Sequence, residues 1–69
     1  MIFTVEIDDS NGQAKVFDEN GRMICQCAPY SGSFTSGQVD EVRREVHMQH
    51  ENGDTGIYEL DSGAFKGWK

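Results

Sequence analysis

The sequence predicts an α+β fold in which one helix packs on the apolar face of a small antiparallel sheet. Asn-Gly pairs at 11–12 and 20–21 separate three short segments in which apolar and polar residues alternate. Asn-Gly is the strongest short-range signal for a tight hairpin turn, because both residues accept a positive φ. A capping pattern followed by valines at helical spacing predicts the helix.

The three strands of the predicted meander are 2–8, 14–19 and 22–28. Two-residue loops at both Asn-Gly pairs place Ile7 opposite Val16, and Val16 opposite Cys25. Residues that lie opposite each other share a face of the sheet. The predicted core face therefore carries eight side chains, which are Phe3, Val5, Ile7, Ala14, Val16, Met23, Cys25 and Cys27. The same register predicts two pairs of opposite charge on the outer face, Asp8 with Lys15 and Glu19 with Arg22.

The helix is predicted over residues 36–51, followed by a fourth strand at 56–61. A capping box begins at Thr35, and the Asn-Gly pair at 52–53 ends the helix. The valines at helical spacing are Val39, Val42 and Val46. Valine and glycine have poor helix propensity, which weakens the helical interpretation.

An all-β fold is the alternative for this half of the chain. Residues 42–50 and 56–61 then form a hairpin that places Val42, Val46, Met48, Tyr58 and Leu60 on one face. This version also brings Arg44 onto the apolar side and leaves Val39 unexplained. The two interpretations remain open at the level of sequence.

Length and charge limit the classes of function. A chain of 69 residues predicts a single domain, 1–69, with a thin core. Its net charge of −6 repels phosphate backbones and anionic membranes, so we expect no direct binding of nucleic acid or membrane. The chain shows neither a signal peptide nor a membrane span, and its two cysteines are poorly placed to bond to each other. We therefore expect reduced thiols and a cytoplasmic location.

Two cysteines and two histidines offer the ligand types of a structural zinc site, namely Cys25, Cys27, His47 and His50. Their spacings are not those of zinc fingers, and both cysteines are in register with predicted core residues. We therefore expect no metal and no cofactor, and keep a zinc-stapled structural module as an alternative. The sequence contains no catalytic signature, which predicts that the protein is not an enzyme.

One segment resembles a known family. The run from Asn11 to Gly21, leading to Ala28-Pro29-Tyr30-Ser31-Gly32, is similar to the opening strands of some L,D-transpeptidase-like domains. The resemblance covers less than half of the chain, and the catalytic His and Cys motif of the family has no counterpart. It implies an inactive fragment of such a domain as a further alternative.

The leading hypothesis is a non-catalytic protein-binding domain. The predicted register pairs Phe17 with Ile24 on the outer face, and an apolar pair surrounded by charge is typical of a binding surface. The carboxylates predicted to take part are Glu6, Asp8 and Glu19 on the sheet and Asp40, Glu41 and Glu45 on the helix.

The acidic surface predicts a partner protein with a basic surface, for example a nucleic-acid-binding protein, and the sheet edges allow a homodimer. In size and charge the chain is similar to phage-encoded inhibitors of nucleic-acid-handling machinery, including anti-CRISPR proteins. We therefore expect an inhibitor or modulator of such a partner.

Overall fold

The computed structural model describes residues 2–8, 10–29 and 32–69, and within these ranges the chain is all-β with no helix. The strands are β1 (Thr4–Ile7), β2 (Ala14–Phe17), β3 (Met23–Cys27), β4 (Phe34–Asp40), β5 (Glu45–His50), β6 (Thr55–Glu59) and β7 (Phe65–Trp68). They form two antiparallel sheets, one of order β1-β2-β3 and one of order β4-β5-β6-β7. The predicted α+β class is therefore wrong.

The predicted helix at 36–51 is replaced by β4, a turn at 41–44 and β5. Val46 and Met48 are completely buried, whereas Gln49 is exposed, which is the two-residue period of a strand. Val42, one of the valines at helical spacing, is 93% exposed in the turn. The valines favoured a strand through their branching, and burial between two sheets outweighed the local capping signal.

The alternative hairpin of 42–50 and 56–61 corresponds to β5 and β6, with shorter limits. Val46 lies opposite Tyr58 and Met48 lies opposite Gly56. Residues 42–44 lie in the turn instead of the strand, so Arg44 is exposed and does not enter the core. Val39, which the hairpin interpretation left unexplained, lies in β4 opposite Val46.

The first hairpin has its predicted faces but not its predicted register. Val5, not Ile7, lies opposite Val16, and Glu6, not Asp8, lies opposite Lys15. The connection is longer than two residues, because the Asp8 amide donates to the Gln13 carbonyl at 2.8 Å. A shift of two residues leaves every side chain on the same face.

The second hairpin has the predicted register at three of its four residue pairs. Val16 lies opposite Cys25, as expected, but Phe17 lies opposite Met23. Two residues of β3 therefore replace one residue of β2, and Ile24 is the extra residue of a β-bulge. The predicted pairing of Phe17 with Ile24 is wrong for this reason.

The core lies between the inner faces of the two sheets. Its buried apolar side chains are Ala14, Val16, Cys25 and Cys27 from the first sheet and Phe34, Val46, Met48, Tyr58 and Leu60 from the second. Phe3, Val5 and Ile7 pack at its margin as half-buried residues. Met23, predicted to face the core, is 54% exposed because the bulge turns it outward.

Two glycines allow the sheets to approach each other. A Cβ on Gly37 would collide with the sulfur of Met48 and reach 3.0 Å from Val5, so this glycine leaves room for the Met48 side chain where β1 packs against β4. A Cβ on Gly63 would collide with the carbonyl oxygen of Gln26, which brings the β6–β7 connection against β3.

Substitution of Gly63 by alanine should destabilise the protein by about 3 kcal/mol, since strain at positive φ adds to the collision with Gln26. Gly21→Ala is the matched control, because Gly21 has a φ of +82° against +76° for Gly63 but no atom within 4 Å of the place that a Cβ would take. Gly21→Ala should lower the free energy of unfolding by about 1 kcal/mol. Urea unfolding measures both, and equal losses would contradict the close contact.

Candidate functional site

The outer face of the first sheet carries an apolar pair different from the predicted one. Phe17 lies between Thr4 of β1 and Met23 of β3, and its ring is half-buried. Ile24 is also half-buried, but it packs against the core. The solvent-facing apolar pair is therefore Phe17 with Met23. We call these two residues the outer apolar pair.

The predicted carboxylates of this face have two kinds of surroundings. Asp8 accepts hydrogen bonds from the amide and the hydroxyl of Ser10, at 2.9 and 2.6 Å, and these bonds lower its pKa. The carboxylate of Asp8 therefore stabilises the turn that follows β1. Glu6 and Glu19 are exposed, and no ion pair joins either of them to a cation in the described part of the chain. Both carboxylates face solvent, and Glu6 lies directly opposite Lys15.

The other three predicted carboxylates, Asp40, Glu41 and Glu45, meet at the β4–β5 turn and not on a helix. Asp40 ends β4 and lies directly opposite Glu45, which begins β5. The Arg43 amide donates to Asp40 at 3.1 Å, which braces the turn. The predicted acidic helix face is therefore wrong in structure, although its residues stay together.

The turn ends in a left-handed residue. Arg44 has a φ of +56°, a conformation that few non-glycine residues adopt. Its guanidinium pairs with Asp61, which raises the pKa of Arg44 and lowers that of Asp61. This ion pair joins the β4–β5 turn to the residues that follow β6.

Glu45 is the most strongly bound carboxylate of the candidate site. The Lys66 ammonium donates to its Oε2 at 2.8 Å, and the Nε2 atom of His47 lies 3.0 Å from its Oε1. These two hydrogen bonds, that of Lys66 first, lower the pKa of Glu45 to about 2. Lys66 belongs to β7 and Glu45 to β5, so the pair spans β6. Only 13% of the Glu45 side chain is exposed.

The four candidate zinc ligands do not converge. Cys25 and Cys27 are free thiols buried in the first sheet. His47 and His50 are three residues apart on β5 and so point to opposite faces. His50 is buried, with its ring centre 5.0 Å from that of Phe34, whereas His47 faces Glu45.

A different set of ligand types comes together. Among the described residues, Asp40, Glu45 and His47 bring their oxygen and nitrogen atoms to within 4.8 Å of one another. His47 also borders a shallow depression of about 260 Å³ on the outer face of the second sheet. Its lining residues are Ser36, Gly37, Gln38, His47, Gln49, Thr55 and Lys69.

Sequence reasoning missed three features of this surface. The alternating pattern predicts Met23 in the core, because the bulge that turns it outward leaves no signal in that pattern. The contact of Lys66 with Glu45 joins residues 21 apart, so it requires the strand order to be known. The exposure of Val42 follows from the turn that replaced the helix.

The segment that resembles L,D-transpeptidase-like domains covers the first loop, β2, the second turn and the residues after β3. Tyr30 and Ser31 of its final motif lie outside the described residues. Over the described ranges, we find no helix with the length and apolarity needed to cross a bilayer. Comparison of the chain with models of known protein families, with curated proteins and with solved structures gave no match.

The carboxyl carbon of Glu45 should titrate near pH 2 in NMR spectra, well below its ordinary value of 4.5. Because the pKa is lowered in the folded state, its contribution to stability is complete above about pH 4.5 and is lost as the pH falls toward 2. Lys66→Met should raise the midpoint of this titration. An unchanged midpoint in that variant would show that Lys66 does not set the pKa.

The two thiols should react slowly with iodoacetamide at pH 8 in the folded protein and rapidly in urea. Burial raises the pKa of both, and for Cys27 to about 12, so little thiolate forms. Mass spectrometry of the labelled protein counts the modified residues. Rapid labelling of Cys25 or Cys27 without denaturant would contradict their burial.

Proposed function

We propose that this protein is a small, acidic, non-catalytic binding domain that docks on a basic surface of a partner protein and inhibits or modulates it. The observation that carries the proposal is the outer apolar pair, Phe17 and Met23, beside the exposed carboxylates Glu6 and Glu19. An apolar anchor supplies affinity once water is excluded, and the charges around it guide the encounter and select the partner.

The charge balance of the molecule supports a basic partner. Within the described part of the chain, three of the six Lys and Arg side chains form ion pairs with the protein's own carboxylates, namely Arg43, Arg44 and Lys66. The net charge of −6 therefore comes from carboxylates outside these ion pairs, among them Glu6 and Glu19. Such a surface attracts a patch of lysines and arginines, and it repels a phosphate backbone.

A protein that holds DNA or RNA offers a basic surface of this kind. We therefore propose a cytoplasmic nucleic-acid-binding protein as the partner class, by analogy with phage-encoded inhibitors of similar size and charge. The protein would compete with nucleic acid for the same surface. This competition predicts binding that weakens with added salt, because exposed charges lose their attraction beyond about 8 Å at physiological ionic strength.

The test compares two substitutions that each add one negative charge at an exposed apolar position. Met23→Glu changes the outer apolar pair, and Val42→Glu changes the β4–β5 turn, where the side chain is 93% exposed. A partner captured from the native host is first identified by mass spectrometry and purified. Its affinity for Met23→Glu should fall at least about tenfold, as for loss of an interface anchor, with Val42→Glu unchanged.

Two further measurements complete this test. Circular dichroism checks that both variants fold, and titration of duplex DNA into the free protein should show no binding. The reverse result, in which Val42→Glu abolishes binding and Met23→Glu has no effect, would move the interface to the β4–β5 turn and refute the proposed site. A captured protein whose affinity neither variant alters would refute it as well.

A further inference from the structure

The outer face of the second sheet assembles a mixed set of metal-ligating side chains. Asp40 and Glu45 are direct neighbours across β4 and β5, and His47 follows Glu45 by two residues on the same face. The three ligand atoms lie within 4.8 Å of one another, and all three residues are half-buried. Metal–ligand bonds of about 2.1 Å place the ligand atoms about 3.0 to 3.5 Å apart, so small side-chain rotations would suffice.

The pairing of Asp40 with Glu45 is itself unfavourable without a cation. Like charges directly opposite each other on neighbouring strands repel, and here the two carboxylates share one face. Lys66 compensates Glu45 at 2.8 Å, whereas the guanidinium of Arg43 stays 3.9 Å from Asp40. Lys66 is 43% exposed at its side chain, so its ammonium can move into solvent when another cation takes its place.

One member of the cluster, His47, also faces an open surface. His47 forms part of the wall of the 260 Å³ depression, whose other lining groups include the amides Gln38 and Gln49. An ion held by three protein ligands keeps positions for water or for an external ligand, and those positions need an open side. The depression provides an open side at His47, whereas neither Asp40 nor Glu45 lines it.

From this geometry we propose that Asp40, Glu45 and His47 bind a divalent first-row transition metal, represented by Zn²⁺. Imidazole nitrogen beside two carboxylates favours such ions over Ca²⁺ and Mg²⁺, which prefer oxygen ligands alone. The ion competes with the Lys66 ammonium for the carboxylate of Glu45, and water completes its coordination. This site is separate from the outer apolar pair and independent of the proposed partner.

Calorimetric titration of Zn²⁺ into the whole protein at pH 7 tests the proposal, with Co²⁺ absorption as a report on coordination geometry. We expect one equivalent of Zn²⁺ and a Co²⁺ spectrum that depends on His47. His47→Gln keeps a hydrogen-bond donor toward Glu45 but removes the imidazole, and it should weaken Zn²⁺ binding at least about tenfold. Asp54→Asn, an exposed carboxylate in the β5–β6 turn, is the control and should have no effect.

Lys66→Met distinguishes a metal site from a purely structural ion pair. If the ion and the ammonium compete for Glu45, removing the ammonium should raise the affinity for Zn²⁺ several-fold. If the cluster only holds β7 to β5, the same variant loses stability and binds no metal. The proposal is overturned by no Zn²⁺ binding up to 1 mM in either the native protein or Lys66→Met, or by binding that His47→Gln leaves unchanged. Equal affinity for Ca²⁺ would also overturn it.

Discussion

The structure depends on one constraint, the burial of alternate side chains between two thin sheets. A chain of 69 residues can supply only a small core, so the few large side chains of both sheets must point into the space between them. Val16 of the first sheet and Val46 of the second are completely buried, and so is Leu60 just beyond β6. The burial of these side chains also decides which residues lie on the outer faces, because the residues between the buried ones must face solvent.

This constraint explains why the strands of the first half could be predicted from sequence, whereas the sequence of the second half left a helix and a hairpin both open. In the first sheet, an error of two residues in the register of β1 left each side chain on its predicted face. In the second half, Val39, Val42 and Val46 fit a helical period by their spacing alone. The evidence against a helix is the complete burial of Met48 and Tyr58 on adjacent strands, which is a property of the assembled sheet and not of a local segment.

The candidate site also has features that could be predicted from sequence and features that could not. The acidic character and the outward position of Phe17 follow from composition and alternation, and so they could be predicted. The identity of its neighbour could not, because a bulge has no clear mark in one sequence. The cluster around Glu45 gathers residues from β4, β5 and β7, whose adjacency depends on the strand order. Spacing along the chain cannot predict long-range polar contacts of this kind.

The bulge at Ile24 has a consequence for how this surface can change. Odd-numbered side chains of β3 point outward before the bulge, at Met23, and inward after it, at Cys25 and Cys27. A one-residue insertion or deletion at this point would therefore exchange the side chains that β3 shows to solvent while its core half stays in place. The bulge shifts the alternation of inward and outward side chains by one residue. A change in length at this point can therefore alter the surface offered to a binding partner while the buried side chains stay the same.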